Sequence, residues 1–145
     1  MAIAGLATAA SPFLIGQQAA GAAVTQAGDS QTRNLVTDAG GVMRCSVGLD
    51  TTHNTDNADQ PFFEFVAIVG GDGACTDSVS HEGTARYRDE GGRLRTTRFV
   101  GYLALGGNIQ GAYTSTSVTV VSSFDNCFEI NGSADCQITV TASPK

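Results

Sequence analysis

Arginines clustered in one short segment are the residues of this sequence that could most readily do chemistry. The chain has a formal charge of −6, yet five of its arginines lie close together in the sequence. These five are Arg86, Arg88, Arg93, Arg95 and Arg98. A guanidinium group presents planar donors that match a carboxylate, sulfate or phosphate, and arginine is enriched in protein interfaces. The cluster therefore predicts a partner-binding surface made of these residues.

The segment RYRDEGGRLR, which holds four of the arginines, reads as a β-hairpin. The letters DEGG form a turn between two alternating segments. The centred register places Arg88 opposite Arg93, and it places Arg86 opposite Arg95. Because strand side chains alternate between faces, all four arginines are expected on one face. The apolar positions between them are expected on the other face: Tyr87 and Leu94.

Four arginines on one face of a hairpin repel one another, since like charges directly opposite destabilise paired strands. Acidic residues must offset that repulsion, and Asp89 and Glu90 lie in the turn itself. Further acids could reach the face from neighbouring strands: Glu82, Asp77 or Glu64. Two interpretations stay open, namely a solvated face neutralised by the chain's own acids and a recognition face. For a recognition face, a protein is the preferred partner.

The second reactive group is the set of four cysteines: Cys45, Cys75, Cys127 and Cys136. None are spaced as the close pairs that metal sites use, so we expect disulfides. Asn131-Gly132 is a strong two-residue hairpin signal. A turn centred there brings Cys127 opposite Cys136 in a non-hydrogen-bonded pair, with Cα atoms about 4.5 Å apart. Cys45 then pairs with Cys75 by exclusion, and no free thiol remains.

Oxygen-bearing side chains are dense in the segment LDTTHNTDNADQ. They are Asp50, Asn54, Asp56, Asn57 and Asp59. Such a loop could hold Ca²⁺, but it lacks the alternating acids, central glycine and final glutamate of an EF-hand. Asp and Asn also stabilise ordinary turns by bonding the local backbone. Calcium is therefore the weaker alternative, and we expect no resident metal and no cofactor.

The two histidines, His53 and His81, are the candidate catalytic bases. The letters HEGTA lack the second histidine of a zinc protease, and no Gly-x-Ser-x-Gly elbow is present. Spacing does not exclude a serine triad, because triads assemble in space. No serine is singled out, however. We therefore expect a protein that is not an enzyme, with a small hydrolase as the weaker alternative.

The charge balance and the first 23 residues indicate where the protein acts. A pI near 4.6 disfavours nucleic acids and anionic membranes as partners. Residues 1–23 carry no charge and end in small side chains, which predicts a signal-peptide remnant or apolar leader. The basic start of a signal peptide is missing, so a membrane helix or a retained assembly tail are the alternatives. Together with the disulfides, the leader predicts a secreted protein without membrane contact after its removal.

The rest of the chain reads as short strands separated by turns. Predicted strands span residues 42–47, 62–69, 78–88, 93–105, 112–122, 127–130 and 137–141. Residues 24–40 lack a sustained period and are predicted as an extended arm, which could add a strand to a partner's sheet, or as a weak first strand. Residues 41–145 are then one all-β domain of about seven strands. We expect an antiparallel, disulfide-stapled β-sandwich, Ig-like or Greek-key, with a barrel as second choice.

This combination of features is similar in class to two groups of small exported bacterial proteins, the subtilisin-type protease inhibitors and the apoproteins of the neocarzinostatin kind. Their motifs do not align with the cysteines of this chain, so no residue roles are transferred. The expected function is a secreted protein-binding module, an adaptor or accessory subunit that binds through the arginine hairpin. The alternative is a small secreted enzyme inhibitor, for which the segment GGNIQG would be the exposed loop.

Overall fold

A computed structural model describes residues 24–54, 62–111 and 114–143 of the chain. It contains eight strands: β1 (Val24–Val36), β2 (Val42–Asn54), β3 (Phe62–Gly71), β4 (Val79–Arg88), β5 (Leu94–Tyr102), β6 (Leu105–Gln110), β7 (Thr114–Phe124) and β8 (Gln137–Ala142). One short helix, α1 (Gly73–Asp77), and one 3₁₀ turn, Ser133–Cys136, complete the described elements. Residues 1–23, the predicted leader, lie outside them. Among the described residues, no helix has the length and hydropathy needed to cross a membrane.

The strands form two antiparallel sheets that pack face to face. The first sheet has the order β1-β2-β3-β6, and the second has the order β5-β4-β7-β8. The chain crosses between the sheets after β3, after β5 and after β6. The all-β sandwich prediction is confirmed, and the arrangement is not a closed barrel.

Alternating side chains build the core between the two sheets. In β2, every second residue from Met43 to His53 is buried, and the residues between them face outward. In β4, the residues from Val79 to Ala85 follow the same pattern. This two-residue period is the one expected of strands with one face on a core and one face open. The largest fully buried side chains are Phe63, Leu35, Met43, Leu49 and Ile138.

Residues 24–36, predicted as part of an extended arm or as a weak first strand, form an edge strand of the first sheet. All 13 residues of β1 pair with β2. Side chains then bridge β1 to the other sheet, because Asp29 Oδ2 accepts a hydrogen bond from the Thr141 amide at 3.1 Å. Arg33 donates to the carbonyl oxygens of Ala134 and Gln137 at 3.1 and 2.6 Å. The segment is therefore part of the sandwich, while the outer edge of β1 has no neighbouring strand in its sheet among the described residues.

Both predicted disulfides are present, at Cys45–Cys75 and Cys127–Cys136, with Cα separations of 5.6 and 5.5 Å. The first bond ties β2 to α1. The hairpin predicted to bring the second pair together is absent, and so is the predicted strand over residues 127–130. The backbone of Cys127 pairs with that of Thr37 in an isolated antiparallel bridge, in place of the predicted hairpin. The carboxylate of Asp135 accepts hydrogen bonds from the amides of Ile130 and Asn131, and the predicted hairpin would have paired the first of these amides with Ser133.

Two segments predicted as turns are strands. Residues 49–54 continue β2 up to Asn54, and the letters GGNIQG lie largely in β6, which pairs with β3. The single strand predicted over residues 93–105 is consequently divided into β5 and β6. At the junction, Leu103 adopts a left-handed backbone (φ 69°), and its amide donates to the Val79 carbonyl at 2.8 Å. This bond joins the start of β4 to the turn where the chain changes sheets.

Candidate partner-binding face

The arginine hairpin exists, but its register differs by one residue from the predicted one. Arg88 lies opposite Leu94, and Arg86 lies opposite Thr96. The turn has five residues rather than four, and it is closed by a 3.0 Å bond from the Asp89 amide to the Arg93 carbonyl. A shift of one residue moves every side chain of a strand to the opposite face. The predicted pairing of arginine with arginine is therefore wrong.

The new register distributes the five arginines over three environments. Arg86, Arg88 and Arg98 point outward from the second sheet, on the same face. Arg95 lies opposite Tyr87, on the side that faces the core, at the end of the hairpin. Arg93 lies in the turn before β5. The structure therefore brings together three of the five predicted contact residues.

Acidic residues neutralise two of the arginines. Asp89 Oδ2 lies 2.7 Å from Arg95 Nε, and Glu82 forms an ion pair with Arg98. The bond from Arg95 lowers the pKa of the Asp89 carboxyl, and the same pair raises the pKa of Arg95. Bonding to Glu82 likewise raises the pKa of Arg98. The predicted roles of Asp89 and Glu82 as internal counter-charges are confirmed.

Two outward arginines keep charge that no acid of the described chain neutralises. Arg88 donates only to the Gly92 carbonyl oxygen, at 2.9 Å. Arg86 makes no side-chain hydrogen bond or ion pair with the residues that the structure describes. Two of the other proposed counter-charges lie elsewhere, because Asp77 ends α1 and Glu64 faces outward from the first sheet, while Glu90 remains in the hairpin turn. Arg86 and Arg88 are therefore available to a ligand or partner.

Large apolar side chains lie beside these arginines. Their position on the same face was not predicted from the sequence. Leu94, Val100 and Tyr102 are 51%, 68% and 59% exposed, and all three point outward from β5. A depression of about 270 Å³ on this face is lined in part by Glu82 and Val100. We call this surface the arginine face. It consists of Arg86, Arg88, Arg98, Leu94, Val100 and Tyr102.

The two candidate catalytic histidines are buried on the core side of their strands. His53 packs edge-on against Phe63, with ring centroids 6.4 Å apart. His81 Nδ1 lies 2.8 Å from Ser122 Oγ, and both residues are buried. Burial lowers the pKa of His81, and the backbone of Leu103 opposes that effect more weakly. Both residues are therefore part of the interior between the sheets, although His81 also lines the depression of about 270 Å³ on the arginine face.

The candidate calcium ligands do not form a described loop. Asp50 and Asn54 belong to β2, while Asp56, Asn57 and Asp59 lie outside the described residues. Within the described ranges, no group of three or more His, Cys, Asp or Glu side chains could hold a metal ion.

Comparisons with known proteins give no identity to this arrangement. No protein-family model, no curated protein and no solved structure matches the chain. The face must therefore be interpreted from its own chemistry.

Proposed function

We propose that this chain is a secreted protein-binding module, an adaptor or accessory subunit of an extracellular assembly that contacts its partner through the arginine face. The observation that carries the proposal is the mixed character of this surface. Three arginines and three large apolar side chains share one open sheet face, and Arg86 and Arg88 have no acidic partner there. Arginine and tyrosine are the residue types that most often dominate the binding energy of interfaces.

The side chains of the arginine face favour one kind of partner surface. An apolar patch beside unneutralised guanidinium groups favours a protein surface that combines carboxylates with aliphatic side chains, since each arginine can bind a carboxylate through two hydrogen bonds. The edge position of β5 leaves one side of that strand without a neighbouring strand in its sheet. The charged side chains of β5 limit uncontrolled strand addition at this edge.

Three features support a location outside the cytoplasm. Both disulfides are formed, no cysteine is free, and the uncharged residues 1–23 have the composition of an export leader. Disulfides persist in oxidising compartments. The inhibitor alternative has less support, because most of the segment expected to be its exposed loop is strand β6. The hydrolase alternative has less support because both histidines are buried.

Charge reversal of the arginine face tests the proposal. Culture supernatant from cells that express the chain is separated by size, the chain is detected with an antibody, and co-eluting proteins are identified by mass spectrometry. We expect the wild type to elute in a complex, and the variant Arg86→Glu/Arg88→Glu to elute as a free chain of at most about 14.9 kDa, the mass that includes residues 1–23.

Arg44→Glu is the control, because Arg44 is exposed on the first sheet, away from the arginine face. This variant should retain the complex. Thermal unfolding of each purified chain establishes that the fold is kept. Elution of the wild type as a free chain, or a complex unchanged by the reversal, would contradict the proposed function.

A further inference from the structure

The outer face of the first sheet carries a second surface of opposite charge. Val66 and Ile68 point outward from β3 and are 42% and 57% exposed. Asp50 lies opposite Val66 on the neighbouring strand, and Glu64 precedes Val66 by two residues on the same face. We call these four residues the acidic face. A depression of about 240 Å³ there is lined by Asp50, Glu64 and Val66, among others.

The carboxylates of the acidic face lack internal partners. Neither Asp50 nor Glu64 forms an ion pair or a side-chain hydrogen bond with the residues that the structure describes. Glycines make the face flat around its apolar side chains, because Gly48 lies opposite Ile68 and Gly106 lies opposite Val66. The two aliphatic side chains therefore project from a smooth surface with two uncompensated negative charges beside them.

We propose that the partner of the arginine face is the acidic face of a second copy of this chain. This inference rests on the proposed function, since it uses the same arginine face. The first argument is charge complementarity, because each face has two unneutralised charges at similar spacing. Arg86 and Arg88 are two residues apart on one strand, about 6.6 Å between Cα atoms. Asp50 and Glu64 are diagonal neighbours on two strands, about 7–8 Å apart.

The apolar residues of the two faces are complementary as well. Val66 and Ile68 on one copy would cover Leu94, which lies opposite Arg88 on the next copy, and the contact would remove three exposed aliphatic side chains from water. Burial of such surface is favourable at about 25 cal/mol per Å². Tyr102, at the margin of the arginine face, provides an aromatic side chain with a polar end that suits the rim of such an interface.

The whole outer faces of the two sheets, on which these residues lie, are large enough for a specific contact. A sheet of four strands, about ten residues long and 4.8 Å apart, presents a flat area of roughly 600 Å². Side chains raise the accessible surface above that value, towards the ~800 Å² per partner of a standard interface. Large apolar side chains on both outer faces are exposed, among them Ile68 on the first sheet and Val100 on the second.

The symmetry of such a contact has a structural consequence. Because the two faces differ and lie on opposite sides of the sandwich, the contact is heterologous, and it generates open stacks or rings rather than closed twofold dimers. Sheets pack about 10 Å apart, so successive copies in a stack would repeat roughly every 20 Å. The chain would then be a repeating subunit of its own assembly.

Self-association of the purified full chain tests this inference. Chains produced in an oxidising compartment are studied by sedimentation velocity from about 10 µM to 1 mM, in low salt and in 1 M NaCl. We expect the average mass to rise with concentration in low salt and to fall towards the monomer in 1 M NaCl, where the Debye length is only about 3 Å.

Charge exchange identifies the two faces. The variants Asp50→Lys/Glu64→Lys and Arg86→Glu/Arg88→Glu should each associate at least tenfold more weakly than the wild type when studied alone. An equimolar mixture of the two should associate again, because every contact in it joins opposite charges. Asp38→Lys/Glu129→Lys is the control for net charge, since both residues are exposed outside the two faces and belong to neither. This control should associate as the wild type does.

The outcomes separate this inference from the proposed function. A wild type that stays monomeric in low salt overturns the inference, as does a mixture that fails to associate. The proposed function still stands in that case if Asp50→Lys/Glu64→Lys retains a different secreted protein that Arg86→Glu/Arg88→Glu loses. If reversal of the arginine face changes neither self-association nor co-elution, both proposals fail.

Discussion

His81 Nδ1 and Ser122 Oγ lie 2.8 Å apart between the two sheets, and they connect the inner faces of β4 and β7. The other ring nitrogen of His81, Nε2, is buried and makes no hydrogen bond with the described residues. A protonated imidazole needs a partner for both of its N–H groups. Burial lowers the pKa of His81, which favours the neutral imidazole, although the backbone of Leu103 opposes this effect.

Stability is expected to fall as the pH drops below about 6.5, the ordinary pKa of a histidine. The unfolded chain then binds a proton that the folded chain cannot accept until the lower folded pKa is reached, so the free energy of unfolding decreases. The loss amounts to at most about 1.4 kcal/mol per pH unit. Urea unfolding at pH 7.5 and at pH 5.5 measures it.

His81→Gln should remove this contribution to the pH dependence, since glutamine does not titrate. Ser122→Ala distinguishes the effect of the hydrogen bond to His81 from the effect of protonating His81. It should cost about 1–3 kcal/mol at both pH values, because His81 loses its partner. It should also keep the decline below pH 6.5. A His81→Gln chain that declines as steeply as the wild type would show that another group is responsible.

The two disulfides should contribute unequally to stability. Cys45–Cys75 joins residues 30 positions apart, whereas Cys127–Cys136 joins residues nine apart. From loop-closure entropy, the first bond is expected to add about 3.6 kcal/mol to the free energy of unfolding, and the second about 2.6 kcal/mol. Urea unfolding of Cys45→Ala/Cys75→Ala and of Cys127→Ala/Cys136→Ala compares them. A greater loss from the second pair would contradict this order.

Asp89 organises the turn of the arginine hairpin through its carboxylate. The pKa of this carboxyl is therefore a measure of the contacts in the turn. Its Oδ1 accepts the amides of Gly91 and Arg93, both at 3.0 Å, and its Oδ2 accepts the Arg95 guanidinium. The pKa of Asp89 is lowered chiefly by Arg95. Arg95→Gln should therefore raise the pKa of Asp89 towards its ordinary value, as measured by NMR titration.

Arg93→Gln is the matched control for that titration. Arg93 bonds Asp89 through its backbone amide, so loss of its side chain should leave the low pKa of Asp89 in place. Stability linked to Asp89 is present above the ordinary carboxyl pKa and is lost as the pH falls through the lowered one. An equal rise of the Asp89 pKa in both variants would exclude a specific Arg95 contact.

The disulfides and the two-sheet fold could be predicted because they follow from patterns that are strong and local. Cysteine spacing left one connectivity compatible with the Asn131-Gly132 turn, although the turn itself takes another form. Alternating burial in β2 and β4 matches the two-residue period of their apolar residues. The alternating pattern depends on few residues at a time, whereas the hairpin signal is overridden by the distant pairing of Cys127 with Thr37.

The register of the arginine hairpin could not be predicted, because its sequence specifies register weakly. Both faces of its outer half carry polar side chains, so no hydrophobic stripe distinguishes a four-residue turn from a five-residue one. The carboxylate of Asp89 decides between them by bonding amides at Gly91 and Arg93. The exposed apolar part of the candidate face depends on the same choice, because Leu94 points outward only in the observed register.

Strand β6 was missed for a different reason, since its glycines read as a turn. Gly107 lies opposite Phe65, and the Phe65 ring occupies the space that a side chain at Gly107 would need. That ring packs edge-on against Phe99, with centroids 5.2 Å apart. The glycine thus serves a contact between the two sheets, which local sequence does not reveal.

Gly107→Ala should therefore destabilise the sandwich more than the same change at the adjacent glycine. A Cβ at Gly107 would lie 2.7 Å from Phe65 Cζ and 3.0 Å from Phe99 Cε1, so the aromatic pair would have to move. Overpacking of this kind costs about 1–3 kcal/mol. A Cβ at Gly106 would meet only the Phe65 carbonyl oxygen, at 3.7 Å, and Gly106→Ala should be close to neutral. Urea midpoints of both variants measure the difference, and equal midpoints would mean that the Phe65 ring does not cover β6.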